Sequence, residues 1–285
     1  MCGASQTAAT TESSTRAGTA TAAGNSNTRG ERRDPVQLGA DVSERDPHGE
    51  CEQDDARHHR SDLAGAATDR CWQNRSLPPL EIDTPHGLAR AHLHAAERPR
   101  AALILGHGAG GGVEAPDLVA VTETARAERV SVALVEQPYR VAGRRSPARP
   151  AQLDAAWIGI VKRLRAGELV GLPLVVGGRS MGARVACRTA EATGAVAVLC
   201  LAFPLTLPRR AGKPPQSRLA ELDAVTVPTL VVQGVRDPFG IPPAGLAREV
   251  ATVPGDHGLK ADLEAVAAAV RVWLPGVVAE AAPVA

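Results

Sequence analysis

The sequence predicts an α/β fold, a mostly parallel sheet of about seven or eight strands with helices on both faces and no large lid. Three observations carry this. From about residue 79, short β-branched or Leu-rich runs alternate with longer Ala-rich amphipathic stretches. The central runs, AALIL, LPLVV and TLVVQG, are continuously apolar, as expected of strands buried on both faces. The regular alternation of the two patterns places helices between the strands.

The expected strands are Leu80–Asp83, Leu88–Ala95, Ala101–Gly106, Ser131–Glu136, Leu172–Val176, Val196–Ala202, Thr229–Gly234 and Glu249–Val253. The first two have no helix between them, and the Pro85-His86-Gly87 turn suits a hairpin. Helices are expected near 115–128, 151–167, 181–193, 241–248 and 259–273, and the Pro-rich stretch 204–216 is expected as a loop. Residues 79–285 form one domain in this reading. Residues 1–78 are rich in Ser, Thr, Ala, Gly, Asp and Arg and lack clustered large apolar side chains, which predicts a disordered extension. A translation start further downstream is the other explanation of this segment. His58 and His59 beside Asp54 and Asp55 read as a solvated tract rather than a metal site.

Composition narrows the function. The 285-residue chain carries a formal charge of +1, so no global field draws it to nucleic acid or anionic lipid. The five cysteines, Cys2, Cys51, Cys71, Cys187 and Cys200, fit no zinc-ligand spacing and no CxxC motif. The N-terminus lacks the basic and apolar regions of a signal peptide, and no run of apolar residues is long enough to span a bilayer. A cytoplasmic protein with reduced thiols is expected, with no metal, no cofactor, no nucleic-acid or membrane partner, and a small molecule as its substrate.

The chemistry starts at Gly178-Arg179-Ser180-Met181-Gly182, a G-x-S-x-G between an apolar strand and the Ala-rich helix ARVACRTAEA. A chain that turns sharply from strand into helix holds its serine in a strained, exposed position, with Gly178 and Gly182 leaving room for the close approach. Ser180 is the expected nucleophile. An oxyanion needs two N–H donors. Met181 offers one. The other is sought in the glycine-rich run after the third strand, His107 to Gly112, at Ala109, with Gly108 and Gly110 as neighbouring candidates. A nucleotide-phosphate loop fits this run poorly, because the Walker Lys and Ser/Thr are missing. His107 precedes the serine, the wrong order for a base in this architecture, so it is expected to shape the loop. His257 is the only histidine after Ser180 and is the expected base. Asp237 follows an apolar strand by a short turn and is the expected acid. Asp223 precedes its strand, Asp256 adjoins the histidine, and Asp262 is the remaining competitor.

Four segments, HGAGGG, GGRSMGAR, VQGVRDPFG and PGDHGLK, resemble the dienelactone-hydrolase-like branch of the α/β-hydrolase superfamily. More narrowly they are similar to the group of hydrolase domains around NSL-complex subunit 3 and testis-expressed protein 30. Pro138-Tyr139, Gly143-Arg144-Arg145, Pro147, Phe203-Pro204-Leu205, Gly212-Lys213-Pro214-Pro215, Arg218 and Leu219 extend the likeness, which covers about 80–275. Phe203 stands where the group more often has Tyr, and Glu136-Gln137 before the Pro-Tyr pair is a second departure. The resemblance implies that Ser180, Asp237 and His257 occupy triad positions. It implies a serine hydrolase of a small ester, thioester or related acyl compound. Relatives in the group include a chromatin-complex subunit, so a non-catalytic interaction module on the same fold is the second reading. Arg140, Arg144 and Arg145 read either as a solvated basic loop or as a preference for an anionic acyl group.

Overall fold

A computed structural model describes residues 78–207 and 216–281. The expected extension 1–78, apart from its last residue, and most of the Pro-rich loop lie outside the described residues, as do His58 and His59. Eight strands form one sheet: β1 (Leu80–Thr84), β2 (Gly87–His94), β3 (Ala101–Gly106), β4 (Val130–Glu136), β5 (Leu174–Arg179), β6 (Ala197–Leu201), β7 (Thr229–Gly234) and β8 (Arg248–Val253). Their spatial order is β1-β2-β4-β3-β5-β6-β7-β8. Only β2 runs against the others, joined to β1 by the hairpin the Pro-His-Gly turn predicts.

The helices are α1 (Pro116–Ala127), α2 (Pro138–Val141), α3 (Pro150–Ala166), α4 (Met181–Thr193), α5 (Leu219–Asp223) and α6 (Leu263–Glu280). All six residues of β3 and of β7 are buried, and the two faces of the sheet carry separate cores. On one face α3 and α4 pack Trp157, Ile160, Leu164 and Val185 against Ile104, Val176 and Phe203. On the other, α1 and α6 pack Leu118, Val121, Val270 and Leu274 against Leu103, Leu199 and Val232. Cys187 on α4 and Cys200 on β6 are both buried, with their sulfurs 3.4 Å apart as free thiols.

The order of the strands reverses at β3. The chain leaves β3 toward β4 on one side, and β5 returns on the other. Loops that leave β3 and β5 therefore diverge and open a crevice at the carboxyl edge of the sheet, where ligands bind in open α/β sheets. Both motifs singled out in the sequence, the glycine-rich run and the serine turn, lie there.

The helix expected at 241–248 is absent. Pro242 and Pro243 cannot donate main-chain hydrogen bonds. Gly245 and Arg248 exchange N–H···O bonds of 2.9 and 3.2 Å, closing a tight turn directly into β8. The last helix starts at Leu263, capped by the Asp262 carboxylate, which accepts from the Ala265 amide at 2.9 Å. It runs past Pro275 to Glu280, longer than the sequence pattern suggested. The short helices α2 and α5 were not expected. No helix among the described residues is long and apolar enough to cross a membrane.

Candidate active site

Ser180 sits between the end of β5 and the start of α4 with φ 53° and ψ −104°. A non-glycine residue reaches this region only when its surroundings enforce it. Here they are glycines. A Cβ on Gly178 or Gly182 would run into the main chain of Gly106 at the end of β3, so three glycines bring two strands and one helix into contact. The Ser180 amide donates to the Leu201 carbonyl at 2.9 Å, tying the turn to β6. Serine is a favoured helix N-cap, yet this one makes no capping bond. Its hydroxyl is engaged elsewhere.

Ser180 Oγ lies 2.9 Å from His257 Nε2, and His257 Nδ1 lies 2.8 Å from Asp237 Oδ2. A carboxylate only accepts, so Nδ1 carries the ring hydrogen and Nε2 faces the serine hydroxyl as acceptor. The Asp237 side chain is fully buried and that of His257 is 20% exposed, so the relay runs from interior to rim. The three residues come from the ends of β5, β7 and β8, which the parallel sheet brings to one edge. The competing acids do other work. Asp223 pairs with Arg248 at 3.0 Å near the opposite edge, the Asp256 carboxylate accepts from the Gly258 amide at 2.8 Å, and Asp262 caps α6.

Asp237 is itself held from two sides. Gln233 Nε2 donates to Oδ2 at 2.8 Å, and the Phe239 amide donates to Oδ1 at 2.9 Å. The Gln233 amide also reaches the carbonyls of Phe203 and Gly240 at 3.1 and 2.9 Å. The Phe239 ring packs at 4.5 Å from the imidazole of His257. Sequence reasoning missed Gln233, although a lone amide in the apolar run TLVVQG was a usable signal.

The glycine-rich loop lies beside the serine: a Cβ on Gly108 would touch the Ser180 side chain at 3.7 Å. Two side chains fix its main chain. The main-chain N–H of Gln137 donates to His107 Nε2 at 3.2 Å, so the hydrogen of this buried ring is on Nδ1 and is donated to the Gly108 carbonyl at 2.7 Å. Burial holds the His107 pKa below the usual imidazole range, which keeps that tautomer neutral. His107 shapes the loop. The Tyr139 hydroxyl donates to the Ala109 carbonyl at 2.9 Å and lies 3.8 Å from the Met181 sulfur. Burial pushes its pKa up to about 12, so it stays a donor. Among the described residues the amides of Ala109 and Met181 have no protein acceptor. Gly110 meets no neighbouring atom at its Cβ position.

A cleft of about 450 Å³ opens on the same rim between the β1–β2 turn, α2 and α3. His86, Leu88, Gln137, Tyr139, Arg144 and Gln152 are among its walls, and Ser180 is not. Tyr139 lines this cleft, and its hydroxyl bonds the Ala109 carbonyl of the glycine-rich loop beside the serine.

Fold and site together define a hydrolase-type α/β architecture. The chain belongs to the alpha/beta hydrolase domain family, whose model matches residues 99–260. No curated protein matches it in sequence. Among solved structures it is similar to Est1E from Butyrivibrio proteoclasticus, with 18% identity, a TM-score of 0.57, and coverage of 70% of this chain and 99% of that one. It is similar to XC6422 from Xanthomonas campestris, an α/β serine hydrolase without a lid, with 19% identity, a TM-score of 0.53, and coverage of 71% and 99%. Dienelactone hydrolase from Anabaena variabilis gives 16% identity, a TM-score of 0.56, and coverage of 71% and 97%. These likenesses establish the fold.

Proposed function

We propose that the protein is a serine hydrolase that cleaves a small carboxylic ester, thioester or related acyl compound through an acyl-enzyme. The observation that carries this reading is the unbroken relay from Ser180 Oγ through His257 to the buried Asp237. In this mechanism His257 Nε2 takes the Ser180 proton as Oγ attacks the acyl carbon. The amides of Met181 and Ala109 receive the oxyanion, and the N-terminus of α4 adds its dipole. His257 then protonates the leaving group, and water enters by the same route in reverse. Asp237 holds the ring and stabilises the imidazolium. No cofactor enters these steps. Within the superfamily we group the chain with the hydrolase domains around NSL-complex subunit 3 and testis-expressed protein 30, on the matching segments quoted above.

The test is covalent labelling by a fluorophosphonate, followed by mass mapping. Labelling at Ser180 that vanishes in Ser180→Ala supports the reading. A folded wild type that takes no label would favour the non-catalytic module instead. A panel of acyl esters varied in length and charge then defines the substrate. If Arg144 in the wall of the cleft selects substrate, esters with an anionic acyl group will show the higher kcat/KM.

A further inference from the structure

The variable position of the serine motif holds an arginine whose side chain is only 17% exposed, paired with an Asp117 side chain that is fully buried. Burying two charges beside a reactive serine is costly, and such pairs are weak sources of stability. Their retention calls for another reason, and the geometry supplies one. Arg179 Nε lies 3.0 Å from Asp117 Oδ2, as an ion pair without hydrogen-bond alignment. Nη2 donates to the main-chain carbonyl of His257 at 2.9 Å. Nη1 lies over the glycine-rich loop, where a Cβ on Gly108 would come within 3.0 Å of it. One planar group thus touches the start of α1, the glycine-rich loop and the loop that carries the base.

We propose that Arg179 is a positioning residue that holds the main chain of His257 against the serine turn, with Asp117 as the buried counter-ion that fixes its guanidinium. The inference rests on the reading of His257 as the base for Ser180. During proton transfer the ring's bond to the serine must break and re-form, and Asp237 grips only the ring. The main chain of residue 257 therefore needs a hold of its own. It lies between Gly255 and Gly258, and the neighbouring bonds, from the Arg236 amide to the Gly255 carbonyl, from the Gly258 amide to the Asp256 carboxylate and from the Leu259 amide to the Asp256 carbonyl, close turns around it without engaging its own N–H or C=O. Arg179 bonds it directly. Arg179 belongs to the same turn as the serine, so the hold is transmitted through one residue of rigid backbone. A lysine could keep the charge but not span both partners, because its ammonium is a point rather than a fork.

The test compares wild type, Arg179→Lys and the neutral pair Arg179→Met/Asp117→Leu, in which both partners become apolar groups of similar volume. It uses the second-order rate of fluorophosphonate labelling, the melting temperature, and the downfield NMR resonance of the hydrogen between His257 Nδ1 and Asp237. Arg179→Lys should label about tenfold more slowly or worse, with the resonance broadened or lost. The neutral pair removes the buried charges together, so it should melt close to wild type yet label as slowly as the lysine variant. This split between stability and rate is what a merely structural ion pair would not give. Wild-type labelling with the resonance intact in either folded variant overturns the proposal. If the wild type itself takes no label, the nucleophile reading fails, and the resonance alone decides: its loss in the variants supports the hold, its retention rejects it.

Discussion

At the scale of the residue, the distances divide the work among side chains and make the divisions testable. His257→Ala removes the side chain that bonds the Ser180 hydroxyl at 2.9 Å, and ester turnover should fall by at least about 10³-fold with the melting temperature little changed. Unaltered turnover would reject the assignment. Gln233 belongs to a different category, since its amide nitrogen shares two hydrogens among Asp237 and the carbonyls of Phe203 and Gly240. Gln233→Leu should therefore cost both stability, about 2 kcal/mol in a denaturant titration, and turnover, because Asp237 loses a donor. The sequence made Ser180, His257 and Asp237 visible through chain order and their place after apolar strands. It left the roles of Gln233, Tyr139 and the Arg179–Asp117 pair unread, because these depend on which loops meet in space and no spacing along the chain encodes that.

The strand-to-helix crossing is where whole elements constrain one another. α4 approaches β3 so closely that a methyl group on Gly182 would collide with the main chain of Gly106 and His107, which cannot rotate away. Gly182→Ala should displace α4 and the serine turn with it. Labelling should be abolished, and stability should fall by about 3 kcal/mol, at the severe end for a single methyl group. Gly110→Ala, in the adjacent loop, has open space at the same atom and should stay within about 0.5 kcal/mol of wild type. The contrast is read by parallel melting and labelling of the two variants. Element boundaries explain the sequence reading's errors as well. The stretch 241–248 has apolar residues at helical spacing, but adjacent prolines and the Gly245–Arg248 turn decide it locally. β5 extends to Arg179, past two glycines that look like a strand's end in the sequence.

For the whole molecule, acid sensitivity follows from His107. Its pKa is lowered in the folded state by burial, so below about 6.5 the unfolded chain binds a proton that the folded chain refuses. The contribution is intact above that pH and is lost as pH falls toward the depressed folded value. His107→Gln, which cannot titrate, should show a shallower loss of melting temperature between about pH 7 and pH 5 than wild type. An equal slope would exclude His107 as a source. We further expect a chain beginning at residue 79 to melt and turn over ester as the full chain does, and a large loss would show that residues 1–78 serve the domain. The thiols of Cys187 and Cys200 bear on how such comparisons are made. They are sealed between α4 and β6, and the Cys200 thiol is pushed well above its ordinary pKa by its bond to Cys187 and by burial. An alkylating reagent reaches them only when helix and sheet part, so mass-resolved trapping at these two sites times the opening of the nucleophile's own scaffold, in any variant and without a substrate.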